Sequence, residues 1–191
     1  WPYLNEEELN RIMDLNLRIE RLERVRDYFL FACFTGLSYA DVKKLTRKEI
    51  EITDSGKWIK TRRQKTGGIV YVPILDVAWQ IIQKYNQFFD QLMPEDPVFP
   101  IMSNQKMNGY LKEIADLAKI TKQLSYHIAR HTFATTVTML NGVPIETVSK
   151  MLGHKNITST QHYARIVDTK VNKDMKVLAD QLDGKMIVNW N

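Results

Sequence analysis

The sequence has 191 residues, of which 44% are hydrophobic and 26% charged, so its composition is that of an ordinary folded protein and excludes a disordered chain. The formal net charge of +5 suits a polyanionic partner. A single cysteine, Cys33, excludes an internal disulfide framework, and no apolar run reaches membrane-spanning length.

Two helices are predicted first along the chain. Residues 5–16 open with Asn5 as a candidate N-cap and three glutamates in the first turn, a typical helix start. Residues 22–34 carry an apolar stripe, and Arg26 falls within it. A charge in a core-facing stripe is costly unless it pairs with a carboxylate, reaches the surface or serves a site. The sequence leaves these alternatives open for Arg26.

Three strands follow a short loop. Residues 49–53, 58–62 and 69–72 alternate in polarity or carry β-branched side chains, with glycine-containing turns between them. We therefore expect a small antiparallel three-stranded sheet. Its second hairpin carries cations suited to contacts with nucleic-acid phosphates: Lys60, Arg62, Arg63 and Lys65.

The remaining predicted elements are helices over residues 75–89, 104–119, 126–140, 144–152 and 168–182. The predicted fold class is therefore α+β, mainly α-helical, with a small antiparallel three-stranded sheet. Val171, Met175, Leu178 and Leu182 share one face of the last helix, which could fold back onto its own core.

All four histidines lie between Ser125 and Tyr163. Helical spacing places His127, Arg130 and His131 on one face of the 126–140 helix, opposite an apolar face, with Ser125 as a candidate N-cap. A guanidinium between two imidazoles suits an oxyanion such as phosphate. Zinc is disfavoured, because the glutamate of H-E-x-x-H is missing and Arg130 would repel a cation. A surface helix with unrelated histidines is the alternative.

The residues that follow narrow these alternatives. Gly153 closes the 144–152 helix and leaves His154 in a loop that can face the site. The order and spacing of His127-x-x-Arg130-His131, Leu152-Gly153-His154 and Tyr163 resemble the catalytic box of the tyrosine recombinase (phage integrase) family.

The resemblance covers the catalytic domain of that family, over residues 1–191. Since the chain begins with Trp1 rather than methionine, we expect a fragment that lacks the family's N-terminal core-binding domain. The resemblance implies a site-specific recombinase or integrase, of a mobile genetic element, that breaks and rejoins DNA through a 3′-phosphotyrosyl intermediate. The implied catalytic residues are the nucleophile Tyr163, Arg130 and His154 on the phosphate, His127 to accept or relay the tyrosine proton, and Lys65 as acid for the leaving oxygen.

One position departs from the family pattern. Residues 35–42 resemble a box whose fourth position normally supplies the first catalytic arginine, and here that position is Ser38. A serine cannot give phosphate a bidentate cation. We predict that Arg26 substitutes, because its place in the apolar stripe points it inward beside this turn; Arg62 and Arg63 are the other candidates. Asp41 matches an acidic residue that would orient an arginine or His127, although a helix start also explains it.

The resemblance implies no metal and no cofactor, because the phosphotyrosine keeps the bond energy. The implied partner is double-stranded DNA, with DNA contacts expected from Lys60, Arg62, Arg63 and His131. We expect a monomer alone, a homo-tetramer on synapsed DNA, a tail at residues 168–191 exchanged between subunits, and a place in the bacterial cytoplasm at the nucleoid.

Two other classes of protein stay open at this stage. A catalytically weak DNA-binding relative would explain Ser38 and would form no covalent adduct. A DNA-binding regulator could use residues 144–152 in a helix-turn-helix, but this leaves Tyr163 and the histidines unexplained. Among enzymes, a type IB topoisomerase would share the chemistry, but the small domain and the His131-Thr132-Phe133-Ala134 box look more like an integrase.

Overall fold

A computed structural model describes residues 2–164, 167–183 and 185. Its helices and strands follow one another in this order: α1 (Glu6–Met13), α2 (Glu20–Thr35), α3 (Tyr39–Lys44), β1 (Ile50–Thr53), β2 (Gly56–Arg62), β3 (Ile69–Pro73), α4 (Asp76–Tyr85), α5 (Asn104–Leu117), α6 (Tyr126–Thr132), α7 (Ile145–Met151), α8 (Thr158–Ala164) and α9 (Val167–Leu182). The predicted class, mainly helical with a three-stranded antiparallel sheet, is confirmed.

Helix α2 lies at the centre of the core. Apolar residues surround most of its length and are buried, among them Tyr28, Phe29 and Phe31, so the helix contacts neighbours on several sides. Those neighbours are α4, α5 and α6. The predicted helix at 22–34 is confirmed, and it ends because Gly36 adopts a left-handed conformation with φ of 72°.

The start of α1 has the cap that its sequence predicts. The Asn5 side chain accepts a hydrogen bond from the Glu8 backbone at 2.8 Å, and the Glu8 carboxylate accepts one from the Asn5 backbone at 2.9 Å. The helix is shorter than predicted and ends at Met13.

The sheet has the order β1-β2-β3, with both pairs antiparallel. Ile59 lies opposite Ile50 on one side and Val72 on the other, and all three side chains are buried against the helices. On the outer face Trp58 stacks on Tyr71, with ring centroids 4.6 Å apart. The alternation of buried and exposed residues therefore fixes the register and directs the β2–β3 turn towards α3 and α7.

The predicted 126–140 helix is divided, and burial is not confined to its apolar face. Helix α6 continues into a π-helical segment, Phe133–Thr138, and then a short 3-10 turn. Arg130 and His131 are buried, as are Ala129 and Phe133 on the predicted apolar face. On the polar face Arg130 and His131 are thus buried while His127 is exposed, and α2 packs against this helix. Ser125 stands at the N-cap position, but its side chain makes no capping hydrogen bond.

Two short helices were not predicted from the sequence. Helix α3 follows Ser38, and α8 carries Tyr163. The last predicted helix is confirmed as α9, on which Met175 and Leu178 are exposed; the side chain of Val171 lies outside the described residues. Among the described helices, none combines the length and apolar character needed to cross a bilayer.

Candidate active site

Arg130, on α6, is buried with only 3% of its surface exposed. Its Nη1 donates to the Gly36 carbonyl at 2.7 Å, and its Nη2 donates to the Leu152 carbonyl at 2.6 Å. Both carbonyls lie at the C-terminal ends of helices, α2 and α7, where backbone oxygens lack partners within the helix and carry partial negative charge. Two helix ends therefore hold the guanidinium in place before any ligand binds.

The two helix ends come this close because each has a glycine. Gly36 and Gly153 have φ of 72° and 61°, a left-handed conformation that costs other residues free energy. A Cβ on Gly36 would lie 2.5 Å from Phe133 Cδ1, and one on Gly153 would lie 2.9 Å from Val70 Cγ2. The site therefore requires both glycines for conformation and for space.

His154 lies beside the Arg130 guanidinium. Its Nε2 is 3.0 Å from Arg130 Nη2, and its Nδ1 is 2.7 Å from Thr160 Oγ1. Because a guanidinium can only donate, Nε2 accepts this hydrogen bond, and Nδ1 carries the proton and donates to Thr160. Burial, followed by the charges of Arg130 and Arg63, lowers the pKa of His154 to about 4. The imidazole is therefore neutral at neutral pH.

Arg130 keeps its charge in this environment. Burial, with the nearby charge of Arg63, lowers the pKa of Arg130 to about 10, while Tyr163 and Asp41 act in the opposite direction. The group is still a cation at neutral pH. Its acceptors are the carbonyls of Gly36 and Leu152 and the His154 ring rather than a carboxylate, so its charge is not neutralised by a counter-ion in these hydrogen bonds.

Tyr163, on α8, points its hydroxyl into the same cluster. The side chain is 6% exposed, and its hydroxyl lies 3.0 Å from His131 Nδ1. Burial raises the pKa of Tyr163, although the charges of Arg130 and Arg63 oppose this effect. The hydroxyl is therefore protonated at neutral pH, in contact with an imidazole and within the field of two cations.

His131 is buried within the site and does not lie on the surface that DNA would contact. Its side chain is 3% exposed, so the prediction that it contacts DNA is wrong. Burial is the main reason that the pKa of His131 falls to about 4. The His127 ring packs against it edge-on, with centroids 4.4 Å apart. The sequence predicted a proton-accepting role for His127, but the imidazole in hydrogen-bond contact with the Tyr163 hydroxyl is that of His131.

His127 itself lies on α6 and is exposed. Partial desolvation, then the charges of Arg130, Arg63 and Lys65, lower the pKa of His127. Among these charges is that of Lys65, which was predicted to be catalytic and lies in the β2–β3 turn.

The β2–β3 turn is held by α3. The Gln64 backbone donates to the buried Asp41 carboxylate at 2.8 Å, and Lys44 donates to the Arg62 carbonyl. Lys65, in the turn, is exposed, as is Arg62. The backbone of the turn is therefore fixed where it leaves β2.

Lys60 is exposed on β2, where its ammonium lies 3.3 Å from the Glu51 carboxylate. Its contact with DNA stays a prediction.

Ser38 has a structural role and brings no positive charge to the site. It forms the N-cap of α3, and its Oγ donates to Asp41 Oδ2 at 2.7 Å. Arg63 approaches the same carboxylate, with its Nε 3.8 Å from Asp41 Oδ2. Asp41 therefore orients the turn and Arg63, which agrees with one of the two roles that the sequence left open.

The prediction that Arg26 lies at this site is wrong. Its Nη1 donates to the Leu15 carbonyl at 2.5 Å, and its Nε and Nη2 lie 2.8 Å from Asp27 Oδ1. Asp27 also accepts from Lys84 at 2.6 Å and from the Tyr85 hydroxyl at 2.8 Å. The inward-pointing charge is thus paired within a structural network between α2 and α4.

Sequence reasoning missed two contacts of this site, those of Thr160 with His154 and of His131 with Tyr163. Nothing in the spacing of a short polar helix could have identified Thr160.

Within residues 2–164, 167–183 and 185, no group of three or more histidine, cysteine, aspartate or glutamate side chains is arranged to hold a metal ion.

Comparison with known proteins agrees with this geometry. The model of the phage integrase family matches residues 2–170. The chain is 32% identical over 180 residues to the tyrosine recombinase XerD of Chlamydia trachomatis, a match that covers 85% of this chain and 57% of the relative. It is 26% identical to XerA of Saccharolobus solfataricus, covering 93% of this chain and 60% of the relative. The chain therefore spans less than two thirds of the length of these relatives.

Solved structures have the same fold. A crystal structure of XerA recombinase superposes with a TM-score of 0.71 at 20% identity, covering 97% of this chain and 66% of that one. XerH bound to a palindromic difH substrate, in a post-cleavage complex, gives 0.71 at 17% identity and covers 92% of this chain and 53% of that one. The catalytic domain of bacteriophage HP1 integrase gives 0.60 at 22% identity, with coverage of 97% and 98%.

Proposed function

Since this chain belongs to the phage integrase family, we propose that it is the catalytic domain of a site-specific recombinase that breaks and rejoins double-stranded DNA through a 3′-phosphotyrosyl intermediate. The observation that carries the proposal is one cluster: the Tyr163 hydroxyl, in contact with His131, lies within the field of the fixed Arg130 guanidinium, and His154 is hydrogen-bonded to that guanidinium. A nucleophile, imidazoles and a preorganised cation are the groups that phosphoryl transfer to tyrosine requires.

In the proposed reaction, the Tyr163 oxygen forms a bond to the scissile phosphorus, and the bond from phosphorus to the 5′ oxygen breaks. Because Tyr163 is protonated, its proton must leave as the new bond forms. The neutral His131 ring is the nearest acceptor, at 3.0 Å, and we place His127 behind it rather than next to the nucleophile. Lys65 donates a proton to the departing 5′ oxygen. Reversal by another 5′-hydroxyl rejoins the strands.

Arg130 and His154 stabilise the negative charge on the non-bridging oxygens. Without DNA, His154 Nε2 accepts from Arg130, so it has no proton to give. A phosphate bound to Arg130 adds negative charge beside the ring, which raises the pKa of His154 and favours a protonated Nε2 that donates to an oxygen. The Arg130–His154 contact is then exchanged for two contacts to phosphate.

The β2–β3 hairpin supplies cations for the DNA backbone. Arg62 and Lys60 are exposed on it, and the net charge of +5 favours a polyanion. Solved structures of XerH hold difH substrate, and those of the Tn1549 transposon integrase hold transposon and circular-intermediate DNA. By this likeness we propose action on double-stranded DNA, for a mobile element, in a bacterial cytoplasm at the nucleoid.

Assembly follows from the same likeness. We propose a homo-tetramer on synapsed DNA and a monomer alone, with the tail at residues 168–191 exchanged between subunits. The exposure of Met175 and Leu178 on α9 supports a partner for this helix. Deletion from Asp168 is then expected to abolish assembly on DNA while DNA binding by single subunits is retained.

The test is covalent trapping by the full-length protein on a nicked duplex, built on the site that the protein enriches from sheared genomic DNA of its host. Cleavage next to the nick releases a short 5′-hydroxyl fragment, which leaves the adduct unable to religate. We expect a protease-sensitive adduct from wild type and none from Tyr163→Phe. Tyr110→Phe is the matched control, because the Tyr110 ring packs against the core and beneath Arg21, and Phe keeps this ring. An adduct from Tyr163→Phe would overturn the assignment of the nucleophile.

A catalytically weak DNA-binding relative is the second candidate, and Ser38 is the observation that favours it. This candidate predicts sequence-specific binding without an adduct from wild type, and an adduct once Ser38→Arg restores the missing guanidinium. The two functions thus give opposite results in the same trapping assay.

A further inference from the structure

The site contains a second guanidinium that the helical cluster does not bind. Arg63 is the first residue after β2, and its backbone is fixed on both sides of the turn: its N–H donates to the Gly68 carbonyl at 2.8 Å, and its carbonyl accepts from the Gly67 N–H at 2.9 Å. The turn is further held at Gln64 by Asp41. The stem of Arg63 therefore starts from a rigid position, although its neighbours in the turn are exposed.

That stem packs against the same loop that holds Arg130. Arg63 Cδ would lie only 3.0 Å from a Cβ at Gly153. Gly153 stands between Leu152, whose carbonyl accepts from Arg130, and His154, whose ring contacts Arg130. The two arginines therefore approach this loop from different elements, Arg130 from α6 and Arg63 from the β2–β3 turn.

The hydrogen bonds of Arg63 are incomplete. Its side chain is 12% exposed, and its Nε is buried with no hydrogen-bond partner among the described residues. Asp41 lies 3.8 Å away, but its two oxygens already accept from Ser38 and from the Gln64 backbone. A buried guanidinium donor without an acceptor costs free energy, which an anion that binds there would recover. Arg26, by contrast, has its carboxylate and carbonyl in place.

The charge of Arg63 extends over the site. After burial and Arg130, it is the next contribution that lowers the pKa of His127 and of His154, and it also opposes the raised pKa of Tyr163. It is the largest contribution after burial that lowers the pKa of Arg130. The positive charge of this one guanidinium thus acts on residues on several sides of the site. An anion bound between these residues would be held by that charge.

We propose that Arg63 is the second phosphate-binding cation of this enzyme, replacing from the β2–β3 turn the arginine that Ser38 lacks. The inference rests on the proposed function and identifies the group that completes it. Arg63 donates to a non-bridging oxygen of the scissile phosphodiester, and Arg130 donates from the helical side. Ser38 and Asp41 act through Arg63, because their hydrogen bond positions the carboxylate that orients the turn.

The test is the rate of strand cleavage on the nicked duplex, measured with protein in excess. Removal of one preorganised donor to the developing charge lowers such rates by about 10²–10³, and we expect a loss of this size for Arg63→Ala. Arg47→Ala is the matched control, because this arginine packs on Phe89 and donates to the Ile50 carbonyl, away from the site. Arg63→Ala that cleaves as fast as Arg47→Ala would overturn the proposal.

A neutral substrate separates the loss of charge from the loss of structure. When one non-bridging oxygen of the scissile phosphate is replaced by methyl, the group no longer carries the charge that Arg63 neutralises. We expect the rates of wild type and Arg63→Ala to differ by less than about threefold on this methylphosphonate. The substrate lacks the negative charge that Arg63 would stabilise, so the mutation has no such stabilisation to remove. If Arg63→Ala is slower than wild type by the same factor on both substrates, the variant has lost its structure. The role of Arg63 as a phosphate-binding cation would then be rejected.

The outcome also separates this inference from the proposed function. If wild type forms no adduct on either substrate, the recombinase assignment fails. If wild type and Arg63→Ala both form the Tyr163 adduct at the same rate on the ordinary phosphate, the enzyme stands and only the role of Arg63 is rejected.

Discussion

The candidate site has two halves that are built differently. In the helical half, Arg130, His154 and Tyr163 are largely enclosed, and protein groups already occupy their hydrogen bonds. In the hairpin half, Lys65 is exposed and the Arg63 Nε has no acceptor among the described residues. The first half is ordered by its own contacts, while the second has an exposed ammonium and one buried guanidinium donor that a bound anion would satisfy.

This difference has a physical reason. Backbone carbonyls at helix ends can hold a guanidinium without neutralising it, so Arg130 remains a cation for phosphate. A hairpin turn offers few such carbonyls, and its cations are held by the rigid backbone of the turn instead. Variants in the helical half should therefore change both structure and chemistry, while those in the hairpin should change chemistry or DNA affinity alone.

The largest effect is expected in the helical half. Arg130→Ala should lower the cleavage rate by about 10³, at the upper end of the range for loss of a preorganised donor, because the fixed cation that stabilises the non-bridging oxygens is lost. Arg130→Lys should recover little, since an ammonium cannot span the carbonyls of Gly36 and Leu152. Single-turnover cleavage measures this loss, with Arg26→Ala as the control, because Arg26 is partly buried and paired with Asp27 away from the site. Equal losses in both alanine variants would contradict the separation of the two arginines.

The hairpin half is tested by Lys65→Ala. We expect cleavage to fall by about 10², as for loss of a general acid, with no change in melting temperature because the side chain is exposed. A substrate whose bridging 5′ oxygen is replaced by sulfur should restore the rate, because a thiolate leaves without a proton. If the sulfur substrate is cleaved as slowly as the ordinary one, Lys65 has another role.

Much of the fold could be predicted from the sequence, because apolar periodicity reports elements that bury one face. The three strands and helices such as α2 and α5 follow from it. Helices α3 and α8 were missed since each is short and lacks an apolar stripe. The sequence placed His127, Arg130 and His131 together on one polar face of the 126–140 helix, but periodicity could not show that Arg130 and His131 are buried while His127 is exposed.

The site was predicted less completely, and for a similar reason. Tyr163, Arg130 and His154 follow from the spacing of side chains that resemble a known box. The carbonyls of Gly36 and Leu152 could not be found, since backbone acceptors leave no mark in residue types. Arg26 was chosen because its stripe points inward, but the sequence does not say that Lys84 of α4 lies beside Asp27 to complete an ion-pair network.

Gly153 lies where the two halves meet, and a side chain there should destabilise the fold. Gly153→Ala introduces a Cβ against Val70 and Arg63 at a positive φ, and we expect a loss of about 3 kcal/mol in the free energy of unfolding from strain and overpacking. Gly142→Ala is the matched control: φ is 86° there, but no atom lies within 4 Å. We expect it to lose about 1 kcal/mol from conformation alone. Equal losses in urea denaturation would mean that Gly153 matters only for its φ.

The helical half should also make stability depend on pH. The pKa values of His131 and His154 are about 4 in the folded protein, below the ordinary value near 6.5. The unfolded chain therefore binds protons first as pH falls. The contribution of the two neutral histidines to the free energy of unfolding is complete above pH 6.5 and is lost between about pH 6.5 and 4. We expect about 2 kcal/mol for the pair after allowance for partial exposure. Melting at pH 7 and 5 should show a smaller difference in His131→Gln and His154→Gln; an unchanged difference would contradict neutral imidazoles.

The smallest effect is expected at the outer edge of the hairpin. Arg62 is exposed, so a contact with DNA phosphate would add mainly counterion release to binding. Arg62→Ala should make the slope of log affinity against log salt concentration less steep by about 1. Lys60→Ala should change it less, because the Lys60 ammonium is 3.3 Å from Glu51 and its charge is partly used.

Titrations of DNA at several salt concentrations measure both slopes, and each variant should keep the cleavage rate of wild type once the DNA is saturated. A slope unchanged in Arg62→Ala would remove the hairpin edge from the DNA interface. A lower cleavage rate at saturation would instead place Arg62 with Arg63 among the groups that act on the scissile phosphate, and the boundary between binding and chemistry would then lie further out on the hairpin.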